Sequence, residues 1–156
     1  MNPKTSPQIN HEWSILCSQS IVDTDTNNLS LINLIEQLKL NINLNEGKKF
    51  DENEGVIFPL NMVLVSRFHK ITTEEIESKC DVKIDFVSPD NKVLGSYEQE
   101  IVMAKDVRNI RMRFGITALK FTKTGLYNFV VNCKQKEENT YTSIGNVPLD
   151  VFLEAK

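Results

Sequence analysis

Between Asn109 and Lys134 the chain reads NIRMRFGITALKFTKTGLYNFVVNCK, and apolar side chains fall at every second position. Ile110, Met112, Phe114, Ile116 and Ala118 share one phase; Asn109, Arg111, Arg113, Gly115 and Thr117 share the other. Successive side chains of a strand point to opposite faces, so this period of two specifies a strand with one buried face and rules out a helix. Leu119 and Phe121 fall on the opposite phase, and a glycine inside a strand often marks a bulge, so a bulge or bend is expected within Gly115–Ala118. Tyr127, Phe129, Val131 and Cys133 repeat the pattern in a second strand. Between the two, Thr122-Lys123-Thr124-Gly125 is either a type I turn closed by a left-handed glycine or a corner that carries the chain from one sheet to another.

The rest of the chain continues in this manner. Trp13 to Val22 alternates as a first strand, and Asp23-Thr24-Asp25-Thr26-Asn27-Asn28 is a turn of residues that bond their own backbone. Leu29–Ile42 is ambiguous. Leu31, Leu34, Ile35 and Leu38 have helical spacing with Ser30 as a cap, but the same residues suit a strand buried on both faces, and strand is preferred. Further strands are expected over Leu60–Lys70, Cys80–Val87, Val93–Leu94 with Tyr97–Met103, and Ile144–Leu153, the last broken near Pro148. Thr72 and Glu75 have capping-box spacing, which allows a single helical turn. Ser88-Pro89-Asp90-Asn91 turns the middle hairpin. About eight strands with short turns give an all-β antiparallel sandwich, immunoglobulin-like or C2-like. The expected organisation is a flexible tail over residues 1–11 and one domain over 12–156. Trp13, Pro89, Gly125 and Tyr127 are its expected structural residues. Gly125-Leu126-Tyr127 loosely resembles the start of the immunoglobulin strand that carries the tyrosine corner, but Phe129 stands where those domains have a cysteine, so this stretch implies a sandwich and not an immunoglobulin domain.

The order of motifs also resembles a family of small prokaryotic β-sandwich proteins of unknown function. The resemblance rests on Ser14-Ile15-Leu16-Cys17, Leu29-Ser30-Leu31-Ile32-Asn33-Leu34-Ile35-Glu36, Phe58-Pro59-Leu60, Val63-Leu64-Val65-Ser66-Arg67, Phe86-Val87-Ser88-Pro89-Asp90-Asn91-Lys92 and Gly125-Leu126-Tyr127-Asn128-Phe129. It spans nearly all of the chain after residue 12. It implies a strand over 29–36 and no catalytic residues. The long acidic connection at 43–58 departs from it.

Composition narrows the function. A 156-residue chain buries about 70% of its unfolded surface, enough for a core without staples. The net charge of −3 lacks the basic excess of a nucleic-acid binder. Cys17, Cys80 and Cys133 are odd in number and far apart, which fits buried thiols in a reducing compartment better than disulfides or zinc. The polar, proline-containing N-terminus has no apolar signal core, and no run approaches the roughly 18 apolar residues of a membrane span. A cytoplasmic location without membrane or nucleic-acid partners is expected.

Sites of chemistry are few. Asp23, Asp25 and Asn27 have the spacing that opens a calcium loop, but Asn28 and Leu34 occupy the positions that require Gly and Glu. His11 lies at the expected mobile end and His69 on a strand beside Arg67, with no nucleophile motif near either. No cofactor, metal or catalytic residue is expected. Two candidate binding regions are left. Arg111 and Arg113, with Arg108 beside them, form a basic stripe that is either a solvated sheet face or a docking patch for an acidic partner or nucleic acid; interleaved aromatics, which would strengthen nucleic-acid binding by stacking, are not expected there. The loop Asn43–Phe58 carries Lys48, Lys49, Asp51, Glu52 and Glu54, and loops of that length are commonly functional or disordered. The expected function is a non-catalytic protein-binding or scaffolding domain; the alternative is weak metal-dependent or enzymatic activity at a loop end.

Overall fold

The computed structural model describes residues 9–43, 50–72 and 75–155. Nine strands follow one another: β1 (Ile9–Val22), β2 (Leu29–Leu34), β3 (Gln37–Ile42), β4 (Val56–Lys70), β5 (Ser78–Val87), β6 (Val93–Met103), β7 (Asn109–Phe121), β8 (Gly125–Gln135) and β9 (Thr142–Ala155). They form two sheets, of order β2-β1-β4-β7 and β3-β9-β8-β5-β6. The fold is an all-β sandwich, as the alternation requires. Strands β1, β4 and β7 lie in one sheet and β5, β8 and β9 in the other, the division that an immunoglobulin domain makes of its strands A, B, E and C, F, G.

The ninth strand comes from the ambiguous stretch. Leu29–Ile42 is strand rather than helix, but it is two strands in different sheets. Asn33 takes a positive φ of 51°, and the chain then steps across the sandwich edge. Ile35 N–H donates to Leu16 O in one sheet, and Asp150 N–H donates to Glu36 O in the other, each at 2.9 Å. Asn tolerates the left-handed region better than other non-glycine residues, which is why the break falls there. β3 then pairs parallel with β9, so the sandwich is not wholly antiparallel.

Further expectations are corrected. β1 starts at Ile9, so residues 9–11 belong to the sheet and not to a tail; Ile9, Asn10 and His11 pair with Lys70, His69 and Phe68. β4 starts at Val56, which takes Val56–Phe58 out of the long connection. β9 is continuous through Pro148. There it pairs with β8 alone, because β3 joins only from Asp150 onward, and a proline N without a proton is tolerated on an open side. The irregularity of β9 lies instead at Ile144, between the pairs Val131–Gly145 and Asn132–Ser143. The bulge or bend expected within Gly115–Ala118 is present: Thr117 and Ala118 are both exposed where β7 changes phase, and Leu60 and Asn61 of β4 oppose the single Thr117. Of the single helical turn expected near Thr72, Thr73 and Glu74 lie outside the described residues, and Glu75–Glu77 are not helical.

The inner faces of the two sheets make one core, from Leu16, Leu64, Phe68 and Phe121 on one side to Val82, Val131, Leu149 and Val151 on the other. Cys17, Cys80 and Cys133 are all buried free thiols. A hydrogen bond between Cys80 and Cys133, with burial added to it, drives the Cys80 thiol far above its ordinary pKa.

Candidate functional site

β7 and β8 are joined by a corner, since they belong to different sheets. Tyr127, fully buried, holds it. Its hydroxyl accepts from Thr122 N–H (2.9 Å) and Lys123 N–H (3.1 Å) and donates to Lys123 O (2.8 Å). This is the tyrosine corner that the Gly125-Leu126-Tyr127 resemblance implies. Gly125 has φ +146°, and a Cβ there would sit 2.9 Å from Pro89 Cγ. Gly125, Tyr127 and Pro89 are therefore one structural unit. Of the two readings open for Thr122–Gly125 the corner holds, and Gly125 sits in a region of φ still more closed to side chains than a left-handed turn.

The described end of the acidic connection packs against this corner. Asp51 Oδ1 accepts from Asn53 N–H at 2.8 Å, and Gly55 N–H donates to Asp51 O at 2.9 Å. Glu52 lies 3.6 Å from Lys123, while Glu54 is exposed. Lys48 and Lys49 lie outside the described residues. Asp51 and Gly55 thus shape a turn, and Glu52 ties that turn to the corner.

Arg111 and Arg113 lie toward the other end of β7. The structure gives them a neighbour that the sequence alone does not. Trp13 pairs with Arg67 across β1 and β4, and Arg67 pairs with Arg111 across β4 and β7. Trp13, Arg67 and Arg111 thus form one cross-strand row on the outer face, with Arg113 one step along. The face does carry an aromatic side chain, which corrects the expectation of none, and Trp13 lines this face rather than acting only as a structural residue. Arg108 lies before β7 and exposes its side chain; its carbonyl accepts from Lys70 N–H at 2.8 Å.

The tip of the β1–β2 hairpin closes the row into a cleft. Arg111 Nη2 donates to Asn27 O at 2.8 Å and to Asn27 Oδ1 at 2.5 Å, and Arg113 Nη2 donates to Ser20 O at 3.0 Å. Asn27 can present both oxygens because the turn holds it at φ 56°. That turn is built by Asp23 Oδ1, which accepts from Asp25 and Thr26 N–H. These bonds hold the Asp23 carboxyl below its usual range. The calcium-like spacing therefore serves a turn. The cleft, about 760 Å³, is lined by Trp13, Leu31, Arg67, Asn109, Arg111 and Arg113 among others.

The electrostatics of the cleft are lopsided. Glu12 Oε2 lies 2.7 Å from Arg67 Nε, and its other oxygen is 3.3 Å from His69 Nδ1. Among the described residues, neither Arg111 nor Arg113 has a carboxylate within ion-pair distance. Like charges placed directly opposite on neighbouring strands destabilise a sheet, and Arg67 faces Arg111 in that way.

His11 is not at a mobile end. Its Nε2 is 2.7 Å from Ser14 Oγ, which is 2.6 Å from Ser66 Oγ. Its ring meets Phe68 edge-on at 5.4 Å and fills the space beside Gly145. Burial lowers its pKa, which favours the neutral ring. Ser66 is fully buried, so the chain of hydroxyls runs into the core and closes the polar groups of β1 and β4 on one another. Among the described residues, no three His, Cys, Asp or Glu side chains are grouped to hold a metal ion, and no helix is long and apolar enough to cross a membrane.

No protein-family model matches the chain, and no curated protein does. Among solved structures, an immunoglobulin-like protein of Pseudomonas aeruginosa is similar over 94% of this chain and 98% of its own, at 12% identity and a TM-score of 0.37. The immunoglobulin-like class stated here rests on the strand division and the tyrosine corner.

Proposed function

We propose that the chain is a non-catalytic protein-binding domain of the cytoplasm that takes an acidic segment of a partner on the outer face of its four-stranded sheet. The supporting observation is the row Trp13–Arg67–Arg111 with Arg113 beside it: three adjacent cations for which the described residues supply one carboxylate, Glu12 on Arg67. Arginine forks pair bidentately with carboxylates, and a neighbouring tryptophan adds a flat apolar surface; these two residue types dominate binding energy at interfaces. The hydrogen-bonded row His11–Ser14–Ser66 is half-buried and ends in the core at Ser66, where it joins β1 to β4; this supports a binding rather than a catalytic role.

Trp13 is the one tryptophan and reports on the cleft directly. Titration with a ten-residue polyglutamate peptide is expected to shift its fluorescence to saturation, and added salt weakens the binding. Arg67→Ala and Arg111→Ala are each expected to weaken it about tenfold or more, as loss of a central arginine does at an interface. Trp13 emission that stays unchanged at millimolar peptide, or that changes equally in the variants, would overturn the reading.

A further inference from the structure

The two sheets differ in width, four strands against five, and the difference leaves part of an inner face uncovered. Tyr97 on β6 pairs with Ile84, which is buried, so both point toward the opposite sheet. Its ring meets Phe114 of β7 edge-on at 5.0 Å, which confirms the direction. Yet Tyr97 is 53% exposed. Gly95 pairs with buried Phe86 on the same inner face, and a Cβ added to Gly95 would meet nothing within 4 Å. Among the described residues, no strand lies over this part of β6.

The empty position is next to β7, the last strand of its sheet. An immunoglobulin domain carries a fourth strand at that place, beside strand E. Here a slot of about 260 Å³ opens between β6 and β7, lined by Leu64, Ile84, Phe86, Phe114, Leu119 and Phe129 among others. The free side of β7 presents unpaired backbone groups along thirteen residues. A row of such groups over an apolar slot fits one shape of ligand, an extended strand with apolar side chains at alternate positions.

Charge decides what the other side chains of that strand must be. The outward-facing charges of β7 are Arg111, Arg113 and Lys120, and the strand has no Asp or Glu. A second copy pairing through β7 would set arginines against arginines, which disfavours self-association. We infer that β7 is the acceptor edge for a strand donated by a partner protein, apolar on the side that enters the slot and acidic on the side that faces Arg111 and Arg113. The inference rests on the binding-domain reading above and names the conformation of the bound segment.

The probe is a blocked ten-residue peptide of alternating valine and glutamate. Hydrogen exchange of the whole domain is followed residue by residue. At saturating peptide, amides of β7 between Met112 and Leu119 that point to the free edge are expected to slow by more than tenfold, with no change on the edge strands β2 and β3. The same composition arranged as a valine block and a glutamate block is expected to give no protection. Gly95→Trp fills the slot from an open position and should abolish the protection while the melting temperature holds. Protection on another edge, equal protection by the block peptide, or full binding to Gly95→Trp would each overturn the inference. The outer-face reading fails separately, by an unchanged response of Arg67→Ala to polyglutamate, which needs no strand pairing.

Discussion

At its C-terminal end β7 runs into a corner where the backbone groups of Thr122 and Lys123 are taken up by the Tyr127 hydroxyl, Gly125 fits against Pro89, and Lys123 is near both Glu52 and Asp90. Near its N-terminal end Arg111 faces Arg67, Arg113 follows, and their hydrogen bonds go to the neutral oxygens of Asn27 and Ser20. The first end is satisfied within the chain. At the second, Arg111 and Arg113 have no carboxylate within ion-pair distance among the described residues. One strand thus separates what the fold needs from what a ligand can use, and substitutions at the two ends should fail in different ways.

The largest effect is expected at Gly125. Gly125→Val forces a β-branched residue into a forbidden φ and against the Pro89 ring, and should cost about 3 kcal/mol in urea unfolding. Gly115→Ala, on the same strand pair with open space around it, should change stability by less than about 0.5 kcal/mol. Equal losses would remove the distinction between corner and strand.

Next comes Tyr127→Phe. It keeps the ring but strands the Thr122 and Lys123 amides, at a cost of about 1–3 kcal/mol. Binding of polyglutamate at the far end should be unchanged, and a loss of binding would show that the two ends are coupled.

At the cleft, Arg113→Ala should shift stability by less than about 1 kcal/mol, the range of exposed polar contacts. Relief of repulsion from Arg111 offsets the bond lost to Ser20. Binding of the acidic peptide should fall all the same. A larger destabilisation without loss of binding would make the row structural.

The smallest effect concerns acid. The hydrogen bond from the Ser88 hydroxyl, with Lys92 beside it, lowers the Asp90 carboxyl to about 2. A carboxyl lowered by folding contributes stability that is present above its unfolded pKa and lost as the pH falls through the folded one. The turn at Pro89 should therefore hold at pH 5 and loosen from about pH 4 down to pH 2. Ser88→Ala should move the Asp90 titration, followed by NMR, to higher pH; an unmoved titration would assign the shift to Lys92.

Much of this architecture is legible in the period-two runs, because side-chain alternation is local and a buried face enforces it. The Tyr127 corner was within reach for the same reason, as its partners lie four and five residues away. The division of Leu29–Ile42 was not. Its apolar residues suit either sheet, and which sheet each half joins depends on its pairing partner, which for the second half lies far along the chain. The row of the candidate site was half visible. Arg111 and Arg113 share a face by spacing, but Arg67 and Trp13 join them through pairings across three strands, and register across long loops leaves no local mark. The unequal width of the sheets was hidden likewise, since it depends on the strand order and not on any strand's own pattern.

The parallel pairing of β3 with β9 sets the order in which the molecule can be finished. Gln37 must find Asp150, and Leu40 must find Leu153, each 113 residues further along the chain. Contacts of such separation close large loops before they return any energy, and they place sandwich domains among the slow folders, on the scale of milliseconds to seconds. During synthesis β1, β2 and β4 can pair while later strands are still being made, but β3 has no neighbour until the last strand has left the ribosome. Until β9 has emerged, the edge of β3 is open to pairing with any other nascent chain, the exposure that makes unfinished sandwiches prone to aggregate.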